Sequence, residues 1–112
     1  VSLYQWRAGE IITAEKLRSG VQFGLVNVTP VTSVGSGALG SSYYRGRADV
    51  TFDVPFAEIP TIQVTARTSV PGGTFIEATY TDVSTTGFTI VIARSNETST
   101  NVDWLAIGRP DL

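Results

Sequence analysis

The chain has 112 residues and a mass of 12.0 kDa, the length of one domain, and it buries roughly two thirds of its unfolded surface on folding. It contains no cysteine and no histidine, which excludes a disulfide framework, a thiol nucleophile, thiolate or imidazole metal sites and a Ser-His-Asp triad. Eight basic residues against ten acidic ones, with a pI near 4.9, give no electrostatic reason to expect nucleic acid or an anionic membrane surface as partner.

In chain order, residues 1–20 read as a short extended lead followed by a short helix. Thr13 is placed to cap its start, residues 14–18 are good helix formers, and Gly20 suits the left-handed position that ends a helix. Ile11, Ile12 and Leu17 give this helix a small apolar patch, suited to docking on a neighbouring domain or subunit. From residue 21 the texture changes to Val, Thr, Ser and Gly with apolar residues at period two. Val21, Phe23 and Leu25 alternate first, and the Gly/Ser-rich stretch 33–42 reads as a loop. Cleaner strands follow: Val50, Phe52, Val54 and Phe56 share a face, then Ile62, Val64 and Ala66, then Ile76, Ala78 and Tyr80, then Phe88, Ile90 and Ile92, then Val102, Trp104 and Ala106. Breaks fall at Pro55, Pro60, Pro71-Gly72-Gly73, Thr86-Gly87 and residues 96–100. The pattern predicts an all-β fold, an antiparallel β-sandwich of about six strands over 21–112, preceded by the N-terminal segment 1–20 with its short helix. No apolar run approaches the roughly 18 to 20 residues that span a bilayer, so membrane insertion is not expected.

The opposite strand faces carry the first hint of function. Thr51 and Asp53, and Gln63, Thr65 and Arg67, make ordinary solvated faces. Val91 and Ala93, with Leu105 and Ile107, make two strands apolar on both sides, and a partner subunit is the economical cover. The alternative cover is the chain's own N-terminal segment.

Gly35, Gly37 and Gly40 match the G-x-G-x-x-G spacing of dinucleotide sites, but Ser41 to Gly46 makes a poor helix and no βαβ pattern surrounds it, so the stretch reads as a loop. The enzyme classes left open are a carboxylate pair, the Lys16 amine or an oxygen-ligand metal site. Asp49 and Asp53 are four residues apart, about 13 Å of strand, too loose for a glycosidase pair, and Glu77, Asp82 and Asp103 are scattered. No enzyme, metal or cofactor is expected. Asn27-Val28-Thr29 and Asn96-Glu97-Thr98 fit the N-glycosylation pattern, which arises by chance in Thr-rich chains. Tyr43, Tyr44, Arg45 and Arg47 cluster ahead of a strand, and Arg94 to Asn101 forms a polar loop. Such aromatic and bidentate polar groups suit carbohydrate, which offers both an apolar C–H face and paired hydroxyls, but on the residues alone the plainer reading is that the tyrosines finish a sheet edge and the loop is a solvated one.

From Val50 to Gly108 the chain resembles the H-type lectin domain, the family of snail and slime-mould agglutinins. The resemblance rests on Val50, Phe52, Phe56, Pro60 and Ile62, on Thr85-Thr86-Gly87-Phe88, and on Val102-Asp103-Trp104-Leu105-Ala106-Ile107-Gly108. It implies a six-stranded antiparallel sandwich that assembles as a homotrimer and binds sugar near the protomer boundaries. The family's acetylgalactosamine binders place an acidic residue after the second strand, an arginine at the start of the next and an aromatic after the Gly-Phe strand. Here those stretches read Thr68-Ser69-Val70, Gly73-Thr74-Phe75 and Ala93-Arg94-Ser95, so that sugar specificity does not carry over.

The segment from Trp6 through Gly9 to Leu17 resembles one that precedes distal modules in bacteriophage tail and fibre proteins. Together the two resemblances imply a trimeric, non-catalytic adhesion module of a phage tail fibre or tail tip, carried on the virion outside the cell and binding a host-surface glycan. Its other partner would be the rest of the tail assembly. The expected ligand residues are Arg67, Arg94, Asn96 and Asn101, with Tyr43 or Tyr80 for stacking; the expected interface residues are Val91, Ala93, Leu105 and Ile107; Trp104 is expected in the core. The alternative is a structural trimerisation or capping domain of a virion protein that binds no ligand.

Overall fold

The computed structural model of the chain describes residues 20–35 and 42–111, so the expected N-terminal helix and most of the glycine-rich stretch lie outside the described residues. Among those residues there are seven strands in two antiparallel sheets: β1 (Val21–Val28), β2 (Thr32–Val34), β3 (Tyr43–Thr51), β4 (Thr61–Ala66), β5 (Ile76–Thr81), β6 (Gly87–Arg94) and β7 (Thr100–Ile107). The first sheet runs β1-β7-β4 and the second β2-β3-β6-β5. The sandwich expected from the alternation is present, with one more strand than expected. The addition is β2, three residues within the stretch read as loop, held by pairing Thr32 with Arg45 and Val34 with Tyr43. Its partner β3 starts earlier than the apolar pattern, taking in Tyr43 to Arg47, and ends at Thr51. Phe52 and Phe56 are buried beyond its end.

Packing explains why β6 and β7 read as apolar on both sides. Each is a central strand, β6 between β3 and β5 and β7 between β1 and β4. On the inner side, Phe88, Ile90 and Ile92 of β6 meet Val102 and Ala106 of β7, Val28 of β1, Val50 of β3 and Ile62 of β4. Half-buried Trp104 packs on this core. The core grades along its length. At one end Phe52 packs edge-on to Phe56 with centroids 4.9 Å apart, and Phe88 edge-on to Trp104 at 5.5 Å. Toward the other end the inner row of β6 continues through Ile90 and Ile92 to Arg94.

Two glycines let the layers close. A Cβ at Gly24 would stand 2.7 Å from Trp104 Nε1, so the bare backbone of β1 is what admits the indole. One at Gly46 would stand 2.5 Å from the Thr29 carbonyl oxygen, where the chain crosses from the first sheet to the second. The β5–β6 turn uses Asp82 at φ 54°, and the Ser84 hydroxyl accepts from the backbone N–H groups of Thr86 and Gly87.

Candidate functional site

Strand register brings three connections to one end of the sandwich: 29–31, 67–75 and 95–99. Val28 pairs with Thr100, Ala66 with Val102, and Arg94 with both Tyr44 and Ile76. Five of the six expected ligand residues, Tyr43, Arg67, Arg94, Asn96 and Asn101, lie at this loop end. Tyr80 does not: it pairs with Ile90 in the far half of the second sheet and packs edge-on to Phe88.

The five divide among three surfaces. Residues paired across antiparallel strands share a face, so Asn101 and Asp103 stand on the outer face of the first sheet with Asn27 and Thr65. There the Arg67 guanidinium donates to both oxygens of Asp103 at 2.8 and 2.9 Å, and Asn27 Nδ2 donates to Asn101 Oδ1 at 3.0 Å. The hydrogen-bonded, charged partner holds the Asp103 carboxyl below its ordinary range and raises Arg67 in turn, though both side chains are well exposed. Tyr43 stands on the outer face of the second sheet, on the row of Arg45 and Ala93.

Arg94 belongs to neither outer face. It lies on the inner row of β6 with only 5% of its surface exposed. Its Nε donates to Asn96 Oδ1 at 3.0 Å and its Nη1 to Thr100 Oγ1 at 2.6 Å. Asn96 Oδ1 also accepts from the Thr98 backbone N–H, so the Asn-Glu-Thr tripeptide here serves a tight turn. The loop is therefore folded around the Arg94 guanidinium and leaves little of it exposed.

The expected interface residues also separate. Leu105 and Ile107 lie on the outer face of the first sheet, while Val91 and Ala93 lie on the outer face of the second, between Arg45 and Arg47 of β3 and Glu77 and Thr79 of β5. The four do not form one surface. Leu105 and Ile107 instead join Phe23 and Val21, their partners on β1. Phe23 is 77% exposed, and Val21 and Leu25 are about half exposed. The alternation of β1 marked Val21, Phe23 and Leu25 as one face but not as the outward one; Gly24, under Trp104, is the residue that betrays which side is inside. A separate groove of about 280 Å³ opens between the edges of β4 and β5, lined by Val64, Ala66, Ile76 and Ala78 with Thr68 and Thr74, and no charged residue lines it. Among the described residues no cluster of acidic side chains has a metal-binding arrangement.

The two sheets, with the three connections gathered at one end, define a small antiparallel β-sandwich domain. The model of the H-type lectin domain matches residues 47–107, from β3 to the end of β7, and the chain belongs to that family. In solved structures the chain is similar to the tailspike protein gp49 from Pseudomonas phage LKA1, at 26% identity and a TM-score of 0.60. The match covers 80% of this chain and 15% of the tailspike chain, so this chain spans a small part of that protein. No curated protein matches it.

Proposed function

We propose that this chain is a lectin module of a phage tail assembly, a homotrimer that binds a host-surface carbohydrate without cleaving it. The observation that carries the proposal is the outer face of the first sheet. There an apolar patch of Val21, Phe23, Leu25, Leu105 and Ile107 runs directly into the polar array of Asn27, Asn101, Asp103 and Arg67. A flat, exposed apolar face on a domain this small is a binding surface or an aggregation hazard. A single patch turned toward a threefold axis meets the neighbouring copies on both sides and closes, whereas two faces pointing in opposite directions build an open stack. Packed in this way, the trimer puts Arg67 and Asn101 at the protomer boundary on the loop end, where a glycan meets bidentate donors and paired amides. Family membership and the tailspike similarity support the module's setting in a virion tail, outside the cell.

Light scattering gives the first test: the mass expected is three times the 12.0 kDa chain. A glycan array with the trimer gives the second, with Arg67→Ala and Asn101→Ala expected to lose the signal while remaining folded. A trimer whose array binding both variants leave intact would remove the boundary site. The mutual pairing of Arg67 with Asp103 and of Asn27 with Asn101 favours the second function, a capping module without ligand. That function requires a trimer and an empty array.

A further inference from the structure

Arg94 is costly to bury. The inner row of β6 supplies apolar side chains at Phe88, Ile90 and Ile92 and then a guanidinium that is 5% exposed. A buried charge is normally paired, because an unpaired charge loses its hydration without compensation. Arg94 makes no ion pair; among the described residues the paired arginine is Arg67, on the outer face. Of the five N–H donors of a guanidinium, Nε and one on Nη1 are taken by the uncharged oxygens of Asn96 and Thr100. Nη2 has no partner in the protein, yet no buried side-chain nitrogen is left unsatisfied, so Nη2 keeps contact with solvent at the loop end.

The surroundings hold the group still. Thr100 Oγ1 donates to the Thr98 carbonyl and Asn96 Oδ1 accepts from the Thr98 N–H, at 3.2 Å each, so both acceptors are locked by the loop they close. Tyr44, half-buried on β3, and Ile76 on β5 flank Arg94 in register. The result is a desolvated cation, fixed in orientation, with unused donors at the surface and an aromatic neighbour.

We propose that Arg94 recognises, at the loop end, an oxyanion on a carbohydrate ligand, the carboxylate of a uronic acid or the phosphate of a phosphodiester-linked glycan. The site is acid-selective because the charge is desolvated and preorganised, so an anion supplies the missing counter-ion and a neutral sugar does not. Glu97, exposed in the same loop and without an ion pair, is the charge that opposes it. This proposal rests on the carbohydrate-binding function proposed above and deepens it to a class of ligand.

The test titrates the full chain, labelled with ¹⁵N, with sodium glucuronate, inorganic phosphate and methyl glucoside, and reads the Arg94 Nε resonance. A saturable shift with glucuronate, phosphate or both, absent with methyl glucoside, is the expected result, and the stronger anion identifies the source. Arg94→Lys is expected to weaken anion binding by about tenfold. Should that variant fail to fold, Glu97→Gln, at an exposed position, is expected to tighten binding by about twofold at low salt. An equal shift with methyl glucoside overturns the anion preference and leaves carbohydrate binding standing. No shift with either anion overturns the proposal, and the glycan array then decides separately whether any carbohydrate is bound.

Discussion

The two outer faces of the sandwich are built from strands of similar composition and come out differently. The outer face of the first sheet sets Val21, Phe23 and Leu25 of edge strand β1 beside Leu105 and Ile107, and nothing in the chain's described residues covers them. The outer face of the second sheet has Val91 and Ala93 in its centre, but Arg45, Arg47, Glu77 and Thr79 flank them and leave them half-buried. An apolar pair on a central strand is thus ordinary when its lateral neighbours are long and polar. It becomes a surface awaiting a partner when the neighbouring edge strand is apolar too.

The sharpest way to break this contrast is to place one charge on each face. Phe23→Glu is expected to reduce the light-scattering mass from three chains to one, because a desolvated carboxylate at the centre of the patch has no partner. Val91→Glu is expected to leave the mass unchanged. Loss of the trimer with Val91→Glu alone would move the interface to the second sheet.

Neighbouring residues of β6 sharpen the same contrast within a single strand. Ile92 is fully buried and Val91, next to it, faces outward. Ile92→Ala is expected to destabilise the chain by about 2–5 kcal/mol through lost burial and the cavity left behind, and Val91→Ala by under about 1.5 kcal/mol. Urea unfolding of both variants reads the difference, and equal costs would mean that Val91 is covered in the folded chain.

Much of this architecture is legible in the sequence. Period-two runs at Ile62, Ile76, Phe88 and Val102, separated by Pro and Gly turns, locate the strands β4 to β7. β2 is not legible, because three residues in a Gly/Ser-rich stretch have no period to read and form a strand only against β3. Alternation also identifies a face without saying which side is inside, so it groups Phe23 with Val21 and Leu25, and only Gly24 beneath Trp104 shows that face to be the outward one. Arg94 continues the inner row of Phe88, Ile90 and Ile92, so its burial is written in the spacing and was masked by its charge. The pairs of the polar array were beyond reach, since Arg67 meets Asp103 across 36 residues and Asn27 meets Asn101 across 74, and only the register joins them.

The smallest effect concerns the charged end of the outer face. Because Arg67 holds the Asp103 carboxyl below its ordinary range, the pair's contribution to stability is fully present above the usual aspartate pKa of about 3.9 and is lost as pH falls through the lowered folded value. Asp103→Asn is therefore expected to melt slightly below the parent chain at neutral pH, and the gap to close in strong acid. Both side chains are exposed, so salt should shrink the gap at any pH. Repeating the pair of melts in the Phe23→Glu background locates the bridge. A gap of the same size in the monomer shows that Arg67 and Asp103 stabilise one protomer on their own. A gap that vanishes there shows that the bridge acts through the boundary between copies, at the rim where the apolar patch ends.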